Sequence, residues 1–295
     1  MPDKTRLEQL AAELEASGEY VILRRIPVPE PLPAPEGAEV RRGLFIDVET
    51  TGLRPDSDDI IELAMVPFDY DRLTGQVLEV FEPFSALNDP GRSIPRAVVE
   101  LTGITDDDVR GQSIDRTEMA RVVNESDLLI AHNAGFDRPF VERFDDVFAA
   151  KPWACTVADI NWAAEGVRGA KLDYLAMSYG FFFQSHRASE DCIAAVSLLA
   201  QPLPRSGVPA LANLLANASR STWRFEATGA PFEAKDLLKA RGYRWNAGAR
   251  FWWRDVPDER RQEEHDWLAS EVFKRKPVPE PRQFTAYDRY SRRDS

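Results

Sequence analysis

The sequence predicts an α/β domain built on a sheet of mixed strand direction, followed by a small α+β module. Three observations predict it. Apolar strand segments come first and strand–helix alternation follows, which signals a mixed sheet flanked by helices. Two breaker-rich stretches, at residues 27–35 and 201–209, interrupt the chain. Past the second break the composition turns basic and aromatic.

A chain of 295 residues fits a main domain with a smaller partner. Hydrophobic residues make up 43%, enough to bury a proper core. A net charge of −12 excludes a protein that coats nucleic acid by charge alone. The charge is unevenly spread: from Ser221 onward 16 Lys and Arg meet 13 Asp and Glu, whereas the remainder sets 21 against 36. No apolar run approaches the ~20 residues of a membrane helix. The N-terminus lacks the apolar core of a secretion signal, so a cytoplasmic location with no membrane partner is expected. Cys155 and Cys192 are too few for a disulfide framework and are read as buried or half-buried thiols.

In chain order, residues 4–16 carry Leu7, Leu10, Ala11 and Leu14 at helical spacing. Tyr20 to Ile26 reads as a short strand. Five prolines at alternate positions, Pro27 to Pro35, favour an extended spacer. These make an extension over 1–40. The main domain, 41–201, opens on the strand Gly43–Val48. Ile60–Tyr70 and Val77–Phe84 form a hairpin across Asp71–Gly75. Helices are expected at 95–101, 116–125, 136–144, 171–179 and 189–200, with a strand at 127–131. Residues 202–220 read as a linker. The module at 221–275 reads as strand 222–227, helix 234–241, hairpin 242–256 and helix 258–273. Its turn, Asn246-Ala247-Gly248, tolerates positive φ. The polar stretch 276–295 is expected to be a mobile tail.

The chemistry-bearing residues fall in three short motifs. Asp47 and Glu49 are one residue apart on a strand, so both carboxylates face the same side. Acids converging at a strand end repel unless a cation lies between them, and hard divalent ions take such oxygens. Asp137, in His132-Asn133-Ala134-Gly135-Phe136-Asp137, falls in the first turn of a helix that follows a strand. In His186-Arg187-Ala188-Ser189-Glu190-Asp191, a separation of five is ~140° around a helix axis, so His186 and Asp191 cannot share a helical face. Ser189 is the expected N-cap, leaving His186 in the preceding loop and Asp191 in the first turn. The unperturbed histidine pKa, near 6.5, suits proton removal from water.

FIDVETTGL, IAHNAGFD and HRASED, in this order and spacing, resemble the three motifs of the DnaQ-like (DEDDh) exonucleases. Leu101-Thr102-Gly103-Ile104-Thr105 resembles the loop that packs on a terminal nucleotide, although many proofreading relatives have His at the position of Thr102. The resemblance covers about residues 41–201. It implies an RNase H-like fold and metal-dependent 3′→5′ exonuclease activity that releases nucleoside monophosphates. It further implies two Mg²⁺ or Mn²⁺ ions, with Asp47 bridging them and Glu49, Asp137 and Asp191 completing the ligand set. His186 would be the general base. By position-matched analogy, Thr51, Gly52, Leu53, Leu101, Thr102, Asn133 and Phe136 would line the terminal nucleotide site.

The expected partner is a nucleic-acid 3′ end, with single-stranded DNA favoured. RNA ends and a polymerase-associated assembly role are the alternatives, and no polymerase-binding signature is legible. The module offers Tyr243, Trp245, Phe251, Trp252 and Trp253 among Lys and Arg. Bases stacked on aromatic faces are worth ~1–3 kcal/mol each. A unit of ~55 residues also needs large side chains for its core, so the module divides its aromatics between packing and contact.

Overall fold

The computed structural model describes residues 4–185, 187–274 and 276–293. Helix α1 (Lys4–Ala16) leads to β1 (Arg24–Arg25), shorter than the expected strand 20–26. The proline run that follows lies extended, and Leu32 donates its amide to Leu78. The main sheet then forms from β2 (Val40–Thr50), β3 (Ile60–Asp71), β4 (Val77–Val80) and β5 (Phe84–Leu87). Between β5 and the next strand come α2 (Arg96–Thr102), α3 (Asp106–Val109) and α4 (Arg116–Asn124). Next are β6 (Leu128–Ala131), α5 (Ala134–Phe144) and β7 (Trp153–Cys155). The domain continues through α6 (Leu172–Ser178), β8 (Phe181–Phe182), α7 (Ala188–Leu199) and α8 (Ala210–Ala218).

The sheet order is β4-β3-β2-β6-β7, with β5 also on β3. β2–β3 and both partners of the far part of β3 run antiparallel, while β2–β6 and β6–β7 run parallel. This is the mixed α/β sheet the sequence predicts. Strand alternation sends Leu44, Ile46 and Val48 into one core layer with α4 and α5, and Phe45 into the other with α7 and α8. The β3–β4 turn is fixed by Asp71, whose carboxylate accepts from the Thr74 hydroxyl at 2.7 Å. Gly75 there has φ +71°, and a Cβ would stand 2.4 Å from the backbone of Ala212.

The segment expected as a linker at 202–220 is partly helical. In α8, Ala210, Leu211, Leu214 and Ala218 are buried in the core layer beside β7. Its small, alanine-rich face packs close to the sheet, and it extends the main domain.

The C-terminal module contains β9 (Thr222–Glu226), α9 (Lys235–Arg241), β10 (Arg244–Asn246), β11 (Phe251–Pro257), α10 (Arg261–Trp267) and β12 (Arg282–Phe284). Its sheet order is β10-β11-β9-β12, all antiparallel. Phe225, Leu238, Tyr243, Val256 and Leu268 form its core. In the hairpin turn the Asn246 carboxamide oxygen accepts the amides of Gly248 and Ala249, and the positive φ falls on Arg250 (58°), outside the expected triplet.

The expected mobile tail is held over 282–293. Beyond β12, Arg138 donates to the carbonyls of Tyr287 (2.6 Å) and Arg289 (2.7 Å), and Arg289 pairs with Asp159 at 3.3 Å. Arg138 is itself fully buried, stacked on Trp153 and paired with Glu142 at 2.7 Å. Buried guanidinium groups require such partners, which a polar composition does not announce. No helix among the described residues is long and apolar enough to cross a membrane.

Candidate active site

The acids converge where β2 leaves the middle of the sheet. Asp47 and Glu49 project on the Phe45 side of β2, toward α7. Helix α7 is pressed close to the strands because Cys192 is small; its thiol contacts the carbonyls of Phe45 and Ala64, each at 3.7 Å. That close approach brings Asp191, one residue earlier, over the strand. One carboxylate oxygen from each of Asp47, Glu49 and Asp191 lies within 4.8 Å of the other two.

Asp137 joins from a different direction. Its helix, α5, packs in the layer of Leu44, Ile46 and Val48. Asn133 supplies the left-handed turn (φ 73°) that starts α5. Asp137 is buried and accepts the amide of Val48 at 3.3 Å, so it stands behind Asp47 and outside the close trio.

The electrostatics follow from that crowding. Burial, then Asp137 and Asp191, hold the Asp47 carboxyl well above the usual carboxylate range. Burial, then Asp191 and Glu62, push Glu49 up to about 7, with Arg187 opposing. Burial likewise raises Asp137. Clustered carboxylates that resist ionisation are what a cation would relieve, and a set made only of oxygens suits a hard divalent ion. The residues present therefore fit Mg²⁺ or Mn²⁺.

Asp47 and Asp191 open onto a cleft of about 590 Å³ that His132, Asn133 and Lys171 also line. His132 contacts the Thr156 hydroxyl at 2.7 Å, and burial pushes its pKa down. His186 lies outside the described residues. Helix α7 begins one residue before the expected cap: Arg187 is the N-cap and makes no side-chain capping bond, while its amide donates to Asp191 at 3.1 Å, so Ser189 lies inside the helix.

Of the nucleotide-site candidates, Asn133 shares the cleft with Asp47 and Asp191. Leu53 (80%) and Leu101 (55%) are exposed. Phe136 is half-buried against Phe140, with ring centres 5.0 Å apart. Thr51, Gly52 and Thr102 have internal work. The Thr51 hydroxyl accepts from the Asp59 amide and from Arg92, and Thr102 closes the end of α2. A Cβ at Gly52 would meet the Asp58 carboxylate at 2.5 Å, so close approach of that side chain explains the glycine.

The sequence reading missed Glu62. It is buried in β3 directly across from Glu49. It accepts the amide of Ala188 at 3.3 Å, the first residue of α7, and lies 3.8 Å from the Arg187 guanidinium. Glu62 thus ties the strand hairpin to the helix that carries Asp191. The signal was a lone charged residue in the apolar run Ile60-Ile61-Glu62-Leu63-Ala64-Met65-Val66.

Fold and site together define a nuclease-type hydrolase on an RNase H-like α/β scaffold. Residues 44–199 match the family model for exonucleases of the RNase T kind, and the chain belongs to that exonuclease family. The DnaQ-like resemblance agrees with the relatives found. The chain is 42% identical over 159 residues to the PolC-type DNA polymerase III of Listeria monocytogenes, a match covering 52% of this chain and 10% of that polymerase. It is 29% identical over 165 residues to the DNA polymerase III subunit epsilon of Treponema pallidum, covering 52% of this chain and 72% of the subunit. Among solved structures it is similar to Exonuclease X in complex with 5′ overhanging duplex DNA (25% identity, TM-score 0.40, 59% of this chain and 99% of that one). It is also similar to E. coli Exonuclease I in complex with a dA16 oligonucleotide (18% identity, TM-score 0.45, 63% and 48%).

Proposed function

We propose that the chain removes nucleotides one at a time from the 3′ end of single-stranded DNA by hydrolysis assisted by two divalent ions. The observation that carries this reading is the trio of Asp47, Glu49 and Asp191, with Asp137 behind it. Asp47, Glu49, Asp137 and Asp191 would hold the ions, Asp47 being the carboxyl on which four neighbouring acids press. When bound, such ions lower the pKa of an attacking water and neutralise charge on the leaving oxygen. His186 takes a proton from that water. The water oxygen bonds to phosphorus, the bond to the 3′-oxygen breaks, and a nucleoside 5′-monophosphate leaves. Asn133, Phe136, Leu53 and Leu101 are proposed to border the terminal nucleotide. Relatives named as DNA polymerase III components favour DNA over RNA.

The test is a 5′-labelled DNA oligonucleotide with Mg²⁺ or Mn²⁺, beside a matched RNA. The expected result is a ladder shortening from the 3′ end, abolished by EDTA and stronger on DNA. Shortening from the labelled end, or persistence in EDTA, would sink the reading; a preference for RNA would move the substrate. His186→Ala should lower turnover at saturating Mg²⁺ while leaving the Mg²⁺ requirement in place. Unchanged turnover removes its role as base.

A further inference from the structure

Two large aromatics in the C-terminal module serve no core. Phe232 is 78% exposed and Trp245 50% exposed, and neither belongs to the cluster around Phe225 and Leu238. Both line a groove of about 550 Å³, together with the half-buried Trp252. The Trp245 and Trp252 rings lie 5.4 Å apart at 56°, a mutually supporting pair with Trp245 outermost. The groove's charged lining is wholly basic: Lys235, Lys239 and Arg250. Lys235 sits 5.0 Å from the centre of the Phe232 ring. The nearby acids Glu233 and Asp236 fall outside the lining. The basic groove thus stands on a chain of net charge −12.

We propose that this groove is a second DNA site that holds single-stranded DNA away from the cleavage centre, with bases against Phe232 and Trp245 and phosphates on Lys235, Lys239 and Arg250. Stacking accepts any base, because every base has a π-face, so the site is indifferent to sequence. The cations track the backbone and make binding depend on salt. A double helix is excluded, since its bases are not free to lie against exposed rings. This proposal rests on the DNA reading above and gives that substrate a second foothold on the same chain.

The test uses the full chain in EDTA, with anisotropy of a fluorescein-labelled (dT)20 measured across salt concentrations. Two variants are compared with wild type, Phe232→Ala/Trp245→Ala and Lys235→Glu/Lys239→Glu. A parallel assay with Mg²⁺ follows the p-nitrophenyl ester of thymidine 5′-monophosphate, which is too small to reach a second site. The aromatic variant should lose at least about thirtyfold in oligonucleotide affinity, for two bases worth ~1–3 kcal/mol each. The charge variant should show a salt slope shallower by about 1.4, at ~0.7 per phosphate contact. Both should hydrolyse the ester at the wild-type rate. Wild-type affinity and salt slope in both variants would overturn the proposal, as would equally tight binding of a blunt duplex. A wild type silent toward the ester would count against the nuclease reading alone, because binding is measured without metal.

Discussion

The chain withdraws Glu264 and the Asp47 cluster from water and treats the two oppositely. Glu264 of the C-terminal module is fully buried, and each of its oxygens is accounted for. Arg241 lies at 3.2 Å, Arg254 at 3.1 Å and the Tyr243 hydroxyl at 3.0 Å. At Asp47 the company is reversed: after burial, the causes acting on it are Asp137, Asp191, Glu49 and Glu62, all acids. A buried acid enclosed by arginines is architecture, since its charge is cancelled within the protein. A group of half-buried acids pressed mainly on one another, with Arg187 the opposing charge at Glu49, keeps a demand for positive charge that marks a place of work.

Four substitutions or titrations probe that contrast, from the largest effect to the smallest. Asp47→Ala should lower nuclease turnover by about 10³-fold or more, given several kcal/mol of charge stabilisation at stake. It should leave the metal-free melting temperature unchanged or higher, because a repulsive group has gone. A mutant that digests a 3′-labelled oligonucleotide at the wild-type rate would end the assignment. Glu264→Ala should do the reverse. Leaving Arg241 and Arg254 facing each other should cost the module about 3–5 kcal/mol in urea denaturation, with ester hydrolysis retained while the main domain stays folded. A mutant as stable as wild type would erase the contrast.

The third probe is pH. Glu49 in the folded chain is raised to about 7 from its ordinary 4.5. A raised carboxyl favours folding while protonated, so its contribution is full below the ordinary value and is lost as pH rises through the folded one. In EDTA the melting temperature should therefore fall between about pH 5 and 8, and Mg²⁺ should flatten the decline. A metal-free melting temperature that climbs across this range would show the cluster to be neutralised internally. Smallest is Arg187→Ala. Arg187 draws Glu49 downward, so its loss should move the pH midpoint up by roughly a few tenths. A downward move would place Arg187 outside the cluster's field.

The same contrast explains what the sequence could disclose. Asp47 and Glu49 were legible because strand alternation is strict, and Asp137 because a turn-forming Asn133 precedes its helix. The sheet's mixed direction was legible from the hairpin and the later alternation. Glu62 was not, because its meaning depends on register: it matters by lying opposite Glu49, which only the β2–β3 pairing sets. Ser189 is not the cap because α7 already starts at Ala188, an early start that the sequence pattern does not disclose. Helix α8 reads as linker in sequence because Ala and Asn carry little periodic signal, and its apolar stripe acquires value from the sheet surface beneath it. The stretch 276–295 reads as a mobile tail in sequence because the partners of its held part, Arg138 and Asp159, lie over a hundred positions earlier.

That last pairing orders events in time. Arg138 adjoins Asp137, yet its hydrogen bonds to the tail reach across 148 to 151 residues. As the chain emerges from the ribosome, the guanidinium beside Asp137 has Glu142 at hand but meets its three carbonyl partners only once residues 286–289 are made. The packing around Arg138 is therefore finished only after residues 286–289 have been synthesised, well after the segments that carry Asp47, Asp137 and Asp191.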